Sequence, residues 1–158
     1  MKKNILLLVA LAAVLSTARA NYFDEIKGDL DGPVDGPAPK FVALYFSAQW
    51  CPPCRLFTPK LVEWYKEFKA KHPEFELVFV SGDRSKEAMQ AYVKETGMPW
   101  ALAAFDKVDA EAFRKYASSG IPYLVLIGED GQALTANPGN EWKSPTKVLP
   151  EIEKIVGG

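Results

Sequence analysis

Residues 44–59 read LYFSAQWCPPCRLFTP, and the architecture of the chain turns on this stretch. It opens inside a continuous apolar run, FVALYF at 41–46, rich in β-favouring residues. A strand covered on both faces reads this way. Trp50-Cys51-Pro52-Pro53-Cys54-Arg55 follows at once, then a segment to about Lys71. Its apolar residues Phe57, Leu61, Trp64 and Phe68 fall on one face of a helix. Pro59 inside it predicts a kink, and His72-Pro73 an end. Two cysteines therefore sit where a buried strand turns into a long helix.

Outward from that point, strands and helices alternate. FELVFV at 75–80 is a second buried strand. Residues 85–96 read as a helix with Ala88, Met89, Tyr92 and Val93 inward, closed by Gly97. Residues 109–117 predict a shorter helix, and YLVLI at 123–127 a third buried strand. Asp130-Gly131 is a hairpin signal, with a return strand expected at 132–135. A last helix carries Val148, Leu149, Ile152, Ile155 and Val156, with Ser144 as a candidate cap. The first two strands, joined through a long helix, should be parallel with a right-handed crossover. Helices then cover both faces of one sheet, an α/β three-layer sandwich.

Composition narrows the functional classes. An apolar fraction of 48% and a charged fraction of 25% are those of a globular chain and exclude a disordered tail or a collagen-like repeat. A net charge of −1 gives no case for nucleic acid as a partner. Two cysteines and one histidine are too few for a zinc site built on soft ligands, so no metal is expected.

Residues 1–20 read as a signal peptide. Lys2 and Lys3 precede an apolar run at 5–15, and Ala18-Arg19-Ala20 supplies a small-residue cleavage site. As a helix that run rises about 16 Å, against the roughly 30 Å of a bilayer core, so a membrane anchor is disfavoured. Cleavage after Ala20 would leave residues 21–158 as a single domain. The expected location is the periplasm or the exterior, where cysteines meet an oxidising milieu.

A Cys-x-x-Cys pair opening a helix has a chemical purpose. Free backbone N–H groups and the helix dipole favour an anion there, which lowers the thiol pKa of Cys51. Cys54, one turn deeper, is placed to resolve a mixed disulfide formed at Cys51. Pro52 and Pro53 limit the backbone between the sulfurs and pre-set helical φ. Three bland readings stand beside this one: a structural disulfide, half of a metal site, or two buried inert thiols. The first stabilises little, about 2 kcal/mol for so short a loop. The second lacks partners beyond His72 and carboxylates.

With VSGDRS at 80–85, MPW at 98–100 and IPYLVLI at 121–127, the stretch at 44–59 resembles the thioredoxin superfamily, and within it the tryparedoxin and nucleoredoxin branch. The resemblance runs from about residue 40 to 135 in the family's order. It implies a thioredoxin-like three-layer α/β/α sandwich with a mixed central sheet, with Cys51 as nucleophile and Cys54 as resolving thiol. Ile121-Pro122 matches the cis-proline loop that holds the substrate backbone beside the disulfide. Trp50 matches the aromatic next to the nucleophile, with core packing as the other reading. Tyr45 stands where many thioredoxins keep a buried carboxylate for the proton of the resolving cysteine, so water or a phenol-linked network would handle that proton.

Two departures matter. Ser81-Gly82-Asp83-Arg84 replaces the tryptophan and acidic residues with which tryparedoxins bind their glutathione-spermidine donor, so that donor is not carried over. Tyr123 follows Pro122 where threonine is common. Asp83 and Arg84 fit a turn, a helix entry or a substrate contact, Trp100 packing or the flank of the site, and His72 a charge–dipole role at a helix end or plain solvent exposure.

The resemblance implies a protein-disulfide reductase with no cofactor beyond the Cys51–Cys54 pair. Its partners would be client proteins bearing thiols or disulfides and a membrane or periplasmic redox partner, and a monomer is expected. An oxidase or isomerase, a low-activity binding or chaperone module, and a thiol peroxidase are the alternatives.

Overall fold

The computed structural model describes residues 21–33, 36–136 and 138–158. The signal peptide expected at 1–20 lies outside the described residues. Three long strands form the centre of the sheet: β2 (Phe41–Ser47), β3 (Phe75–Ser81) and β5 (Tyr123–Gly128). A short β1 (Leu30–Asp31) and β4 (Ala101–Ala103) extend one edge, giving the order β1-β4-β3-β2-β5. β2 runs parallel to β3, and β3 to β4, while β5 is antiparallel to β2 and β1 to β4. The sheet is mixed.

Alternation along the central strands divides the core in two. Ala43, Tyr45, Leu77, Phe79, Leu124 and Leu126 face α2 (Pro52–Lys71), α3 (Lys86–Thr96) and α5 (Pro145–Gly157). Val42, Leu44, Phe46, Val78, Val80, Tyr123, Val125 and Ile127 face α1 (Tyr22–Ile26) and α4 (Glu111–Arg114). Both faces are covered, which is why these strands read as unbroken apolar runs rather than alternating ones. Each large buried side chain contributes roughly 1.5–3 kcal/mol of burial.

Several local expectations are corrected. The return strand at 132–135 shrinks to a single bridge, Ile127 with Ala133. The reason lies in Thr135, whose buried hydroxyl accepts the Leu126 N–H and takes the place of a ladder bond. The helix expected at 109–117 is helical only over Glu111–Arg114, since Ala110 supplies no side-chain cap and Ser118-Ser119-Gly120 cannot prolong it. Ile155 faces solvent, while Val148 and Ile152 carry the buried face of α5. Ser144 caps α5 by position only, its hydroxyl bonding Thr146 instead of a backbone N–H. Helix α2 extends from Pro52 to Lys71 with Pro59 inside it, as expected for a helix that continues past this proline.

The core is rich in tyrosines, and this sets an alkaline limit. Burial pushes the phenols of Tyr22, Tyr45 and Tyr65 well above their usual range. In the unfolded chain they ionise near pH 10, so their contribution is complete below that pH and is lost as pH rises beyond it. The urea midpoint should be flat from about pH 7 to 9 and fall steeply above about pH 10. A midpoint unchanged at about pH 11 would show that these phenols ionise freely in the folded protein.

Candidate active site

Cys51 is the N-cap of α2, with Pro52 and Pro53 forming the first two helical positions. The two cysteines are joined as a disulfide. The Cys54 backbone N–H donates to Cys51 Sγ at 3.3 Å. In the reduced protein this N–H and the helix N-terminus favour the thiolate on Cys51 over one on Cys54. Cys51 is 4% exposed and Cys54 fully buried. A partner disulfide therefore reaches only Cys51, through a narrow opening.

Three chain segments frame that opening. Ala48 and Ile121 pack directly on the sulfur pair. The Ile121-Pro122 peptide is cis, and the Ile121 carbonyl oxygen lies 3.9 Å from Cys51 Sγ. Trp50 stands beside them, 58% exposed, its indole N–H donating to the Gly82 carbonyl at 2.9 Å. That exposure removes the packing reading for Trp50. An open cavity of about 560 Å³ runs along its ring, lined by Gln49, Pro52, Arg55 and Leu56. Arg55 is tied to Glu95 of α3 at 2.7 Å.

The loop carrying Trp50 and Cys51 is stitched to the end of β3. The Gly82 N–H donates to the Ser47 carbonyl, and the Gln49 N–H donates to the Asp83 carboxylate, both at 2.8 Å. The second Asp83 oxygen accepts from the Ser81 hydroxyl. With both oxygens engaged inside the turn, Asp83 holds the loop in place. Trp100 is a core residue, 2% exposed, stacked edge-on against Tyr65. His72 packs on Phe68 and faces Glu74 at the far end of α2.

Beneath Cys54 lies a buried hydroxyl network that the sequence reading did not identify beyond Tyr45. Thr58 Oγ1 donates to the Cys54 carbonyl at 2.9 Å and contacts the hydroxyls of Tyr45 and Tyr92. Tyr92 also meets Ser47 at 3.0 Å. Tyr45 is fully buried, and burial keeps its phenol neutral far into the alkaline range. At neutral pH it stands as a protonated phenol. Thr58 was legible only as the residue one turn along the helix from Cys54, a position with many innocent uses. Trp142, also unforeseen, donates its indole N–H to the Pro122 carbonyl at 2.9 Å. It lies in an irregular segment with no periodicity to betray it.

Among the described residues no group of three His, Cys, Asp or Glu is placed to hold a metal ion, and no helix is long and apolar enough to cross a membrane.

Comparison with known proteins agrees with this geometry. The sequence pattern of the family described as Thioredoxin-like matches residues 39–133. A probable nucleoredoxin 1 of Arabidopsis thaliana is 45% identical over 97 residues, which is 61% of this chain and 16% of that protein. Tryparedoxin of Trypanosoma brucei brucei is 41% identical over 98 residues, 60% of this chain and 65% of its own. The chain thus spans only a small part of the nucleoredoxin. Among solved structures, native tryparedoxin I from Crithidia fasciculata superposes with a TM-score of 0.64 at 28% identity, covering 84% of this chain and 94% of that one.

Proposed function

Because the chain belongs to the thioredoxin-like family, we propose that its Cys51–Cys54 pair exchanges thiols and disulfides with the cysteines of client proteins, in the reducing direction. The observation that carries this is the redox pair itself, seated at the start of α2 and opening only through Cys51 beside the Ile121-Pro122 loop.

The chemistry balances without a cofactor. The Cys51 thiolate attacks one sulfur of a client disulfide, and the other client sulfur leaves as a thiolate. The Cys54 thiolate, its proton released, then attacks Cys51 Sγ, freeing the second client sulfur. Two electrons pass to the client and the Cys51–Cys54 disulfide forms. Trp50 and the Ile121-Pro122 loop flank the entering sulfur, while Pro52 and Pro53 fix the turn between the cysteines. The proton of Cys54 passes to water or to the departing client thiolate, since Tyr45 is held neutral.

The leader-like residues 1–20 support export, and hence a periplasmic or secreted location. A reductase there is re-reduced by a membrane or periplasmic redox partner, because the surroundings are oxidising. The domain acts as a monomer on client proteins, without metal or nucleic acid.

The reduction potential of the pair, equilibrated against glutathione and dithiothreitol buffers, tests the direction. A value near about −270 mV is expected, that of a protein that gives electrons away. A value between about −180 and −120 mV would make it an oxidase or isomerase.

A further inference from the structure

We propose that Trp142 is a positioning residue for client recognition, anchoring the Ile121-Pro122 loop so that its Ile121 carbonyl faces Cys51; this rests on the client-exchange reading above. The two carbonyls of the loop point to different partners. That of Ile121 lies against Cys51 Sγ, and that of Pro122 accepts the Trp142 indole N–H at 2.9 Å. Pinning the second orients the peptide that carries the first.

The anchor is itself held from both sides. Asn140 donates its side-chain amide to the Lys115 carbonyl at 2.8 Å, and Lys143 pairs with Glu151 of α5 at 2.6 Å. Between these ties the five-membered ring of the indole packs against Gly120. A Cβ at Gly120 would stand 3.2 Å from the Trp142 ring, closer than side-chain packing ordinarily allows, so the ring's position depends on that glycine. Trp142 nevertheless remains 47% exposed. A tryptophan with its N–H spent on the substrate loop and its face open to solvent is placed to meet what the loop binds. It parallels Trp50, whose N–H donates to the carbonyl of Gly82, a residue beside the Ile121 side chain.

An extended polypeptide needs this loop, whereas a small aromatic disulfide needs only the sulfur of Cys51. Trp142→Phe replaces the indole by a phenyl ring and removes the N–H, and Gly120→Ala keeps the indole but presses a methyl group against it. For Trp142→Phe, kcat/KM for insulin relative to that for 5,5′-dithiobis(2-nitrobenzoate) should fall about fivefold, the factor that loss of one neutral hydrogen bond amounts to, and for Gly120→Ala it should fall by less. The loss with insulin should lie in KM rather than kcat. Amide exchange of Gly120, Ile121 and Tyr123 should accelerate in Trp142→Phe. An unchanged ratio in Trp142→Phe overturns the proposal. So does an equal fall for both substrates, which would place Trp142 in the support of the sulfur pair or of the whole fold. Failure of the client-exchange reading shows separately, as a wild-type protein that does not turn insulin over. The exchange comparison then still decides whether Trp142 anchors the loop.

Discussion

Cys51→Ser is expected to reduce insulin turnover to the uncatalysed background, a loss on the order of 10³-fold or more. Cys54→Ser should fail differently. Its Cys51 thiolate can still attack, but no thiol stands behind it to release the client, so a mixed disulfide accumulates after one turnover. The asymmetry follows from burial and helix position together. Cys51 caps α2 and receives the Cys54 N–H, whereas Cys54 is sealed beneath it. The measurement is insulin turbidity for both variants, with non-reducing electrophoresis to find the trapped adduct. Adduct on Cys51→Ser and none on Cys54→Ser would reverse the two roles. Cys51→Ser at wild-type rate would end the enzymatic reading and favour a binding or chaperone module on the same fold.

The parts of this site that were legible in the sequence are those where one residue type has few uses. The run at 41–46 reads as a doubly covered strand, and β2 buries Ala43 and Tyr45 on one face and Val42, Leu44 and Phe46 on the other. Two cysteines with two prolines between them, directly after that strand, left the helix start as their natural place. The shorter pieces carried too little pattern. β1 and β4 span two and three residues, below any periodicity; β4 exists because the edge of β3 offers it bonds, and β1 because the edge of β4 does so in turn. The return strand at 132–135 failed because a threonine side chain can replace a backbone partner, a choice that alternation does not reveal. Trp50 and Trp142 are both exposed tryptophans joined by an indole N–H to a backbone carbonyl. Only Trp50 was foreseen, because it adjoins Cys51 in sequence, while Trp142 reaches back to a carbonyl twenty positions earlier in the chain.

Thr58→Val is expected to destabilise the fold by about 2–4 kcal/mol, far more than the change in shape warrants. Proton counting gives the reason. The Cys54 carbonyl can only accept, so Thr58 spends its one hydroxyl proton there. Both phenols must then donate to Thr58 Oγ1, and Ser47 in turn donates to Tyr92. Valine fills the same space but leaves the Tyr45 O–H without an acceptor, and the Tyr92 O–H with only Ser47 Oγ to turn to, in a region where both residues are fully buried. Each orphaned buried donor costs about 1–3 kcal/mol. Thr58→Ser keeps the oxygen and should cost under about 1 kcal/mol, the loss of one methyl group. Adding Tyr45→Phe to Thr58→Val removes one orphan and should recover part of the loss, a coupling that a double-mutant cycle in urea would measure directly. The same cycle bears on mechanism. Since Tyr45 is held neutral by burial, Tyr45→Phe should leave the pH profile of insulin turnover in place below about pH 9 while shifting the unfolding midpoint. A pH profile displaced by Tyr45→Phe would give the phenol a part in deprotonating Cys54. A Thr58→Val midpoint equal to that of the wild type would mean that the two tyrosines find other partners.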